Sequence, residues 1–169
     1  MNASVRRKAA RVRFLLLDVD GVLTDGLLYL DGEGREFKTF HIQDGLGLVR
    51  LQEAGIGVGL ISGRTSRAVS HRAKELGITE VYQGANEKLT VYAALRRRRR
   101  LADAEVAMMG DDLNDLPLLR QVGLALAPAD AVAEVRVMAD YVTTRGGGRG
   151  AVREAVDLLL RARHSRERR

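Results

Sequence analysis

The chain has 169 residues, a formal net charge of +6 and no cysteine. This length suits one domain with one sizeable core. The lack of cysteine excludes disulfides and thiolate metal sites, and it fits a cytoplasmic protein. No apolar run approaches the roughly 18 residues that a membrane span needs, and aromatic residues are only 4%, which leaves few platforms for stacking nucleic-acid bases.

The first predicted strand ends in two carboxylates. Phe14 to Leu17 form an unbroken apolar run of the length typical of a buried strand in a parallel sheet. Asp18 and Asp20 follow this run, and Gly21 opens a turn. Because ligands of open α/β sheets bind beyond the carboxyl ends of the strands, two acids there indicate a cation and phosphoryl site. An ordinary solvated Asp-Gly turn is the alternative for this stretch alone.

Residues 27–40 interrupt the alternation of strands and helices. Two runs rich in apolar residues flank a turn signal at 31–34, which predicts a β-hairpin projecting from the sheet. The hairpin is too small for a cap domain, and its apolar positions indicate packing on other subunits. The next segment leads into a helix predicted from about Leu46 to Glu53, with Asp44 as its N-cap. His41 alone is more often a structural or surface residue than a ligand.

Two more polar residues stand at positions suited to phosphate. Ile56 to Ile61 is the second predicted buried strand, and Ser62 follows it just before a helix over 66–76. A hydroxyl there suits phosphate oxygens, although an ordinary capping serine is the alternative. Lys88 lies in the first turn of a helix that runs to about Arg100. A lysine there opposes the helix dipole, which indicates an anion nearby.

A third group of acids follows the predicted strand from Val106 to Met109. Asp111, Asp112 and Asp115 would repel one another without a cation or hydrogen-bond donors. Mg²⁺ is the natural cation for such a site, since it prefers carboxylate, water and phosphate oxygens.

The rest of the chain continues the alternation. Strands are predicted at 123–127 and 141–142 around a helix at 131–138, and a last helix at 151–160 follows the glycine-rich, flexible run 145–150. We therefore predict a Rossmann-like parallel α/β sheet flanked by helices.

Four of these features together resemble the motifs of haloacid dehalogenase-like phosphohydrolases. They are DxDG at 18–21, Ser62, Lys88 and GDDxxD at 110–115. Spacing alone supports only a carboxylate–metal phosphate site. The resemblance further implies a role for each member of the group: a nucleophile at Asp18, an acid/base at Asp20, and phosphoryl contacts from Ser62 and Lys88. It also implies Mg²⁺ held by Asp18, Asp111 and the backbone of Asp20, and metal-binding or orienting roles for Asp112 and Asp115.

A closer resemblance covers nearly the whole chain from Phe14 to Leu160. The segments DVDGVLTDG, FHIQDGLG, ISGR, YQG, GDDLND and GGGRGAVRE are similar to the capless, tetrameric 3-deoxy-D-manno-octulosonate 8-phosphate phosphatases. The resemblance implies a homotetramer and a sugar acid phosphate substrate from lipopolysaccharide biosynthesis. The residues it places around the substrate are Asp20, His41, Ile42, Gln43, Asp44, Gly45, Arg64, Arg72 and Lys88. We also expect Arg149, on a mobile lid at 146–150, to reach the substrate.

On this basis the chain divides into a basic N-terminal segment (1–12), a single phosphatase domain (13–163) and a basic tail (164–169). The basic run from Arg96 to Arg100 complements a helix dipole, so we interpret it as solvated surface and expect no specific nucleic-acid or membrane partner. Three alternatives stay open: a phosphatase of a nonulosonate 9-phosphate, a catalytically silent oligomerisation module, and a nucleic-acid-binding protein.

Overall fold

The computed structural model describes residues 2–167 and has a six-stranded parallel sheet with a separate two-stranded hairpin. The strands are β1 (Phe14–Leu17), β2 (Tyr29–Leu30), β3 (Glu36–Phe37), β4 (Gly57–Ile61), β5 (Glu80–Tyr82), β6 (Val106–Met109), β7 (Leu124–Ala127) and β8 (Tyr141–Val142). The main sheet has the order β5-β4-β1-β6-β7-β8, and all of its pairings are parallel. The predicted fold class is confirmed.

Seven α-helices accompany these strands in the described part of the chain. They are α1 (Ala3–Ala9), α2 (Ile42–Glu53), α3 (Arg67–Glu75), α4 (Lys88–Arg99), α5 (Leu116–Leu119), α6 (Ala133–Met138) and α7 (Ala151–Glu167). No helix between residues 2 and 167 combines the length and the apolar character needed to cross a membrane.

Strand β1 lies between two apolar layers. Leu15 and Leu17 pack in the cluster that includes residues of α1, α2, α3 and α7, whereas Phe14 and Leu16 pack in the cluster formed with α4, α5 and α6. All four side chains are buried. Because both faces of the strand are covered, its sequence is continuously apolar rather than alternating.

The sheet order reverses next to β1. The chain runs from β1 outward through β4 and β5, then returns to β6 on the other side of β1. In open α/β sheets the crevice at such a reversal is where ligands bind. The residues that follow β1 and β6 are therefore placed at the site most suited to chemistry.

The predicted hairpin is also confirmed. Strands β2 and β3 pair antiparallel, and the rings of Tyr29 and Phe37 stack with their centroids 5.5 Å apart. The hairpin follows the loop that carries Asp20, so its side chains lie close to the carboxyl end of β1.

Two features at the N-terminal side differ from the sequence-based expectation. Helix α1 lies in the basic segment, for which no helix was predicted, and it buries Val5 and Ala9. Helix α2 begins at Ile42 rather than near Leu46. Gly45 lies in the first turn of this helix and packs against α3, since a Cβ at Gly45 would lie 2.2 Å from a guanidinium nitrogen of Arg72.

The basic run at the end of α4 is surface, as predicted, but much of it is paired. Arg98 and Arg99 contact the Glu80 carboxylate, and Arg96 lies 3.4 Å from Asp103. Exposed ion pairs of this kind contribute little to stability. Residues 168 and 169 of the predicted basic tail lie outside the described residues.

Gly123 offers a test of the packing around β7. A Cβ at this position would lie 2.6 Å from the backbone Cα of Ala104, and backbone atoms cannot rotate away as a side chain can. We predict that Gly123→Ala lowers the free energy of unfolding by about 1–3 kcal/mol, measured by urea denaturation.

Gly32 is the matched control, because an added Cβ there meets nothing within 4 Å. Gly32→Ala should change stability by less than about 0.5 kcal/mol. Equal midpoints for the two variants would contradict the described packing.

Candidate active site

Three carboxylates meet at the reversal point of the sheet. Asp18 directly follows β1, and Asp111 and Asp115 follow β6. One carboxylate oxygen from each lies within 4.8 Å of the others. Asp18 is 6% exposed and Asp115 is fully buried. Three acids predicted from two separate motifs are thus brought to one centre.

Lys88 supplies the positive charge within this group. Its Nζ lies 2.8 Å from Oδ1 of Asp18 and 2.7 Å from Oδ1 of Asp115. Burial of the ammonium group opposes its charge, but the two carboxylates outweigh that effect and raise the pKa of Lys88. The structure therefore supplies the anion that a lysine at the start of α4 required.

Asp115 positions the other members of the site. While its Oδ1 faces Lys88, its Oδ2 accepts hydrogen bonds from the backbone N–H groups of Asp111 (3.0 Å) and Asp112 (3.4 Å). Gly110 leaves room for this carboxylate, since a Cβ there would lie 2.5 Å from Cγ of Asp115. An acid with all of these contacts shapes the loop and orients Lys88.

Asp111 has the least compensated carboxylate. Its Oδ1 is buried and has no hydrogen-bond partner among the described residues. Burial, together with the charges of Asp18 and Asp115, raises the pKa of Asp111 to about 8. Burial and Asp115 likewise raise the pKa of Asp18 to about 6, although Lys88 opposes the shift. One ammonium group does not balance three carboxylates.

These observations fit a bound Mg²⁺ ion. The free oxygen of Asp111 faces a centre lined by carboxylates, which are the hard ligands that Mg²⁺ prefers. Gly21 leaves room for the Asp111 carboxylate, because a Cβ at Gly21 would lie 2.0 Å from Oδ2 of Asp111. Asp112, by contrast, is exposed, lies outside the cluster and accepts a hydrogen bond from the N–H of Leu113.

Asp20 lies in a second charged group, beside the hairpin. Its Oδ1 contacts the ammonium group of Lys38, and its Oδ2 lies 3.9 Å from Nε of Arg64. Glu36 joins the two cations, with Lys38 at 3.4 Å and Arg64 at 2.5 Å. The sequence-based reasoning did not select Lys38 or Glu36. Their alternate spacing at the end of a predicted strand, which places both on one face, was the available signal.

Ser62 lies at the end of β4 and is 3% exposed. Its Oγ accepts a hydrogen bond from the backbone N–H of Arg64 at 3.1 Å. The backbone of Ser62 is fixed by bonds to Tyr82 and Ala85. The hydroxyl is therefore held at the carboxyl edge of the sheet, next to β1, the strand that Asp18 follows.

The segment His41 to Gly45 comprises the residue before α2 and the first turn of that helix. The Asp44 carboxylate is 1% exposed and accepts hydrogen bonds from the backbone N–H groups of Gly150 (3.3 Å) and Arg153 (2.7 Å). The prediction that Asp44 caps its own helix is wrong, because it caps the N-terminus of α7 instead. His41 precedes α2, and its Nδ1 is buried without a hydrogen-bond partner among the described residues.

The remaining predicted substrate residues lie around this segment. Ile42 is 81% exposed, and Gln43 is exposed beside α7. Arg72 lies over the Phe40 ring at 5.9 Å and pairs with Glu75 at 2.8 Å. Its guanidinium group also faces Gly45, where a Cβ would lie 2.2 Å from one of its nitrogens, so a larger residue there would displace the Arg72 side chain.

The glycine-rich segment 146–150 packs on the loop that carries Asp20. The N–H of Gly148 donates to the carbonyl of Val22 at 3.0 Å, and a Cβ at Gly147 would lie 1.9 Å from the carbonyl oxygen of Gly21. Close approach thus accounts for these glycines in the structure, and the mobile lid stays a prediction. Arg149 is 72% exposed, with its guanidinium group 3.9 Å from Asp25.

Comparison with known proteins gives consistent matches. Residues 78–153 match a family model described as haloacid dehalogenase-like hydrolase. The 3-deoxy-D-manno-octulosonate 8-phosphate phosphatase of Escherichia coli strain K12 is 46% identical over 162 residues, which are 96% of this chain and 86% of that protein.

Solved structures agree with these matches. A crystal structure of the same phosphatase from Yersinia pestis is similar with a TM-score of 0.96 and 44% identity, covering 99% of this chain and 90% of that one. The phosphatase from Moraxella catarrhalis, crystallised with magnesium ion, phosphate ion and KDO, has a TM-score of 0.95 and 39% identity, covering 98% and 95%.

The raised pKa of Asp111 makes stability depend on pH in a defined direction. Its pKa moves from 3.8 to about 8 on folding without a cation, so the folded protein holds a proton that the unfolded chain has lost. The free energy of unfolding of the metal-free protein should therefore fall as pH rises from about 4 to about 8. Thermal unfolding at several pH values measures this fall.

Added Mg²⁺ should raise the melting temperature more at pH 8 than at pH 6, because the cation binds the deprotonated carboxylates. Asp111→Asn should remove most of this gain, whereas Asp112→Asn, which changes an exposed acid, should keep it. An equal Mg²⁺ effect in the unmodified protein and Asp111→Asn would contradict the assignment.

Proposed function

The chain belongs to the 3-deoxy-D-manno-octulosonate 8-phosphate phosphatase family of haloacid dehalogenase-like hydrolases, and we propose that it removes phosphate from that sugar acid phosphate in lipopolysaccharide biosynthesis. The observation that carries the proposal is the placement of Asp18. This buried carboxylate contacts the ammonium group of Lys88 and lies in the same cluster as Asp111, whose Oδ1 has no hydrogen-bond partner among the described residues. The family match names the substrate of its relatives, and the site has the groups for phosphate ester cleavage.

Asp18 acts as the nucleophile. One of its oxygens forms a bond to phosphorus while the bond from phosphorus to the sugar oxygen breaks, which leaves an aspartyl-phosphate. Asp18, Asp111 and the backbone carbonyl of Asp20 would hold Mg²⁺. When bound, Mg²⁺ supplies positive charge that offsets the repulsion between the Asp18 carboxylate and the phosphate.

Asp20 moves the protons of both steps. It first gives a proton to the departing sugar oxygen, and the resulting carboxylate then takes a proton from the water that attacks phosphorus. The second attack breaks the bond to Asp18 and releases inorganic phosphate. Ser62 and Lys88 hold the phosphoryl oxygens and stabilise their charge throughout.

The substrate's own carboxylate needs a cationic partner. Arg64, beside Asp20, and Arg72, whose guanidinium group faces Gly45 of the predicted substrate segment, are two candidate partners. Arg149, mostly exposed on the neighbouring segment, is a third. A charged hydrogen bond of this kind is worth about 1.5–3 kcal/mol, enough to select a sugar acid over a neutral sugar.

The assembly we propose is a homotetramer of a cytoplasmic protein. Large apolar side chains on and beside the hairpin are more than half exposed, namely Leu27, Leu28, Leu30, Phe37, Ile42 and Leu46. Several exposed large apolar side chains on one hairpin and the adjacent helix are typical of a subunit contact. Copies of the hairpin packed together would bury it and would bring a neighbour close to each active site.

The nucleophile is tested directly by Asp18→Asn. The amide cannot attack phosphorus, so release of inorganic phosphate from 3-deoxy-D-manno-octulosonate 8-phosphate with Mg²⁺ should fall by at least about 10⁴-fold, the upper end of what an acid/base group contributes. The Asp112→Asn variant serves as a control for loss of one negative charge, and circular dichroism checks the fold.

Substantial activity in Asp18→Asn would exclude Asp18 as the nucleophile. A parallel screen of phosphorylated sugars identifies the substrate. A clear preference for a nonulosonate 9-phosphate would support the related phosphatase instead, and no release from any phosphate ester would support a silent assembly module.

The assembly is tested on the exposed hairpin. Phe37 is 55% exposed and Leu30 is 57% exposed, and burying a charge without a partner in a subunit contact is strongly unfavourable. We predict that Leu30→Glu converts the tetramer into smaller species, measured by analytical ultracentrifugation.

Val137 provides the control for an added surface charge. It is 87% exposed and lies on α6, away from the hairpin in the chain, so Val137→Glu should leave the mass unchanged. A monomeric unmodified protein, or a tetramer that persists in Leu30→Glu, would contradict the proposed contact.

A further inference from the structure

The hairpin carries a lysine that is almost completely buried. The side chain of Lys38 is 2% exposed, although lysine is rarely found so deep in a protein without a partner. Its ammonium group contacts Oδ1 of Asp20 and lies 3.4 Å from Oε1 of Glu36. No feature of the proposed phosphate chemistry assigns a task to this residue.

The contacts of Lys38 belong to one group of acidic and basic side chains. Asp20 and Glu36 supply the carboxyl groups, and Lys38 and Arg64 supply the basic groups, so the four residues connect the loop after β1, the hairpin and the loop after β4. Partial burial opposes the charge of Glu36, but hydrogen bonds from Ser66 and Arg64 outweigh it and lower its pKa. Glu36 thus stays ionised and supplies a second carboxylate to Lys38.

Direct binding of the transferring phosphoryl group is a poor explanation for Lys38. Its ammonium group is enclosed and already contacts two carboxylates. Lys88, in contrast, contacts the nucleophile Asp18 itself. The partner of Lys38 is the residue that handles protons at the leaving oxygen.

We propose that Lys38 is a positioning residue that holds the Asp20 side chain in the orientation needed for proton transfer to the leaving oxygen. This inference rests on the proposed phosphatase function. A carboxylate on a loop has several rotamers, and an acid that is misplaced by about 1 Å can cost about 10²-fold in rate. The hairpin is the element that supplies the restraint.

The test compares two phosphate esters that differ in their need for an acid. The leaving group of a sugar phosphate is an alkoxide, which departs poorly without a proton. The leaving group of p-nitrophenyl phosphate is a stable phenolate, which needs little protonation. The quantity to compare is kcat/KM, because it reports only the steps up to departure of the leaving group. Lys38→Met keeps most of the unbranched side chain and removes its charge.

We expect Lys38→Met to lower kcat/KM for 3-deoxy-D-manno-octulosonate 8-phosphate by about 10²-fold, the size of a general-acid contribution. For p-nitrophenyl phosphate we expect kcat/KM to fall by less than about 5-fold. The KM for the sugar phosphate should change little. Lys38→Arg, which keeps the charge, should recover part of the loss. Lys74→Met, which removes an exposed lysine of α3, should leave both rates unchanged.

Equal losses for the two esters would overturn the inference and indicate a phosphoryl-binding or purely structural role. A raised KM with unchanged kcat would also overturn it, since that result indicates substrate binding. If the unmodified protein prefers another sugar phosphate, the proposed substrate fails, but the comparison of alkyl and aryl esters still tests Lys38.

A crystal structure of Lys38→Met provides a readout that needs no activity. We expect the Asp20 carboxylate to leave its present position next to the hairpin, while Asp18 and Lys88 stay in contact. An unmoved Asp20 in that variant would overturn the inference even if the protein had no phosphatase activity.

Discussion

The rest of the structure depends on one electrostatic constraint, which is that three carboxylates share a buried centre with a single ammonium group. Lys88 contacts Asp18 and Asp115, while one oxygen of Asp111 has no partner among the described residues. Such a centre is stable only with further positive charge or with protons on the acids. The same imbalance makes the site suited to a divalent cation and a phosphoryl group that arrive together.

The surrounding fold holds this centre by close packing of backbone rather than by many side chains. Gly21 and Gly110 are the residues whose missing Cβ atoms make room for Asp111 and Asp115. Gly147 packs on the carbonyl of Gly21, and the helix that follows is capped by Asp44 from α2. The loop after β1 is therefore fixed from two directions, by the start of α7 and by the hairpin.

The sequence predicts those features of the fold and the site that depend on residues close together in the chain. The buried strands could be predicted because they are apolar runs, and the acids of the two motifs because they follow such runs. The placement of Lys88 at a helix start already indicates an anion. The partner of Asp44 could not be predicted, because Gly150 is 106 residues away and the start of the nearby helix was a plausible alternative. Lys38 was missed for a similar reason, since its environment depends on how the hairpin folds over Asp20. Helix α1 buries only two side chains, which is too weak a pattern to detect.

The most direct measurement is chemical trapping of the intermediate. Borohydride reduces an acyl phosphate to an alcohol but leaves a free carboxylate intact, so protein quenched with borohydride during turnover can be digested and each acidic residue examined by mass spectrometry. A mechanism through Asp18 predicts reduction at that residue, only when a phosphate ester and Mg²⁺ are both present. Reduction at a different acid, or hydrolysis of the ester with no reduction at Asp18, would contradict the central role assigned to this carboxylate.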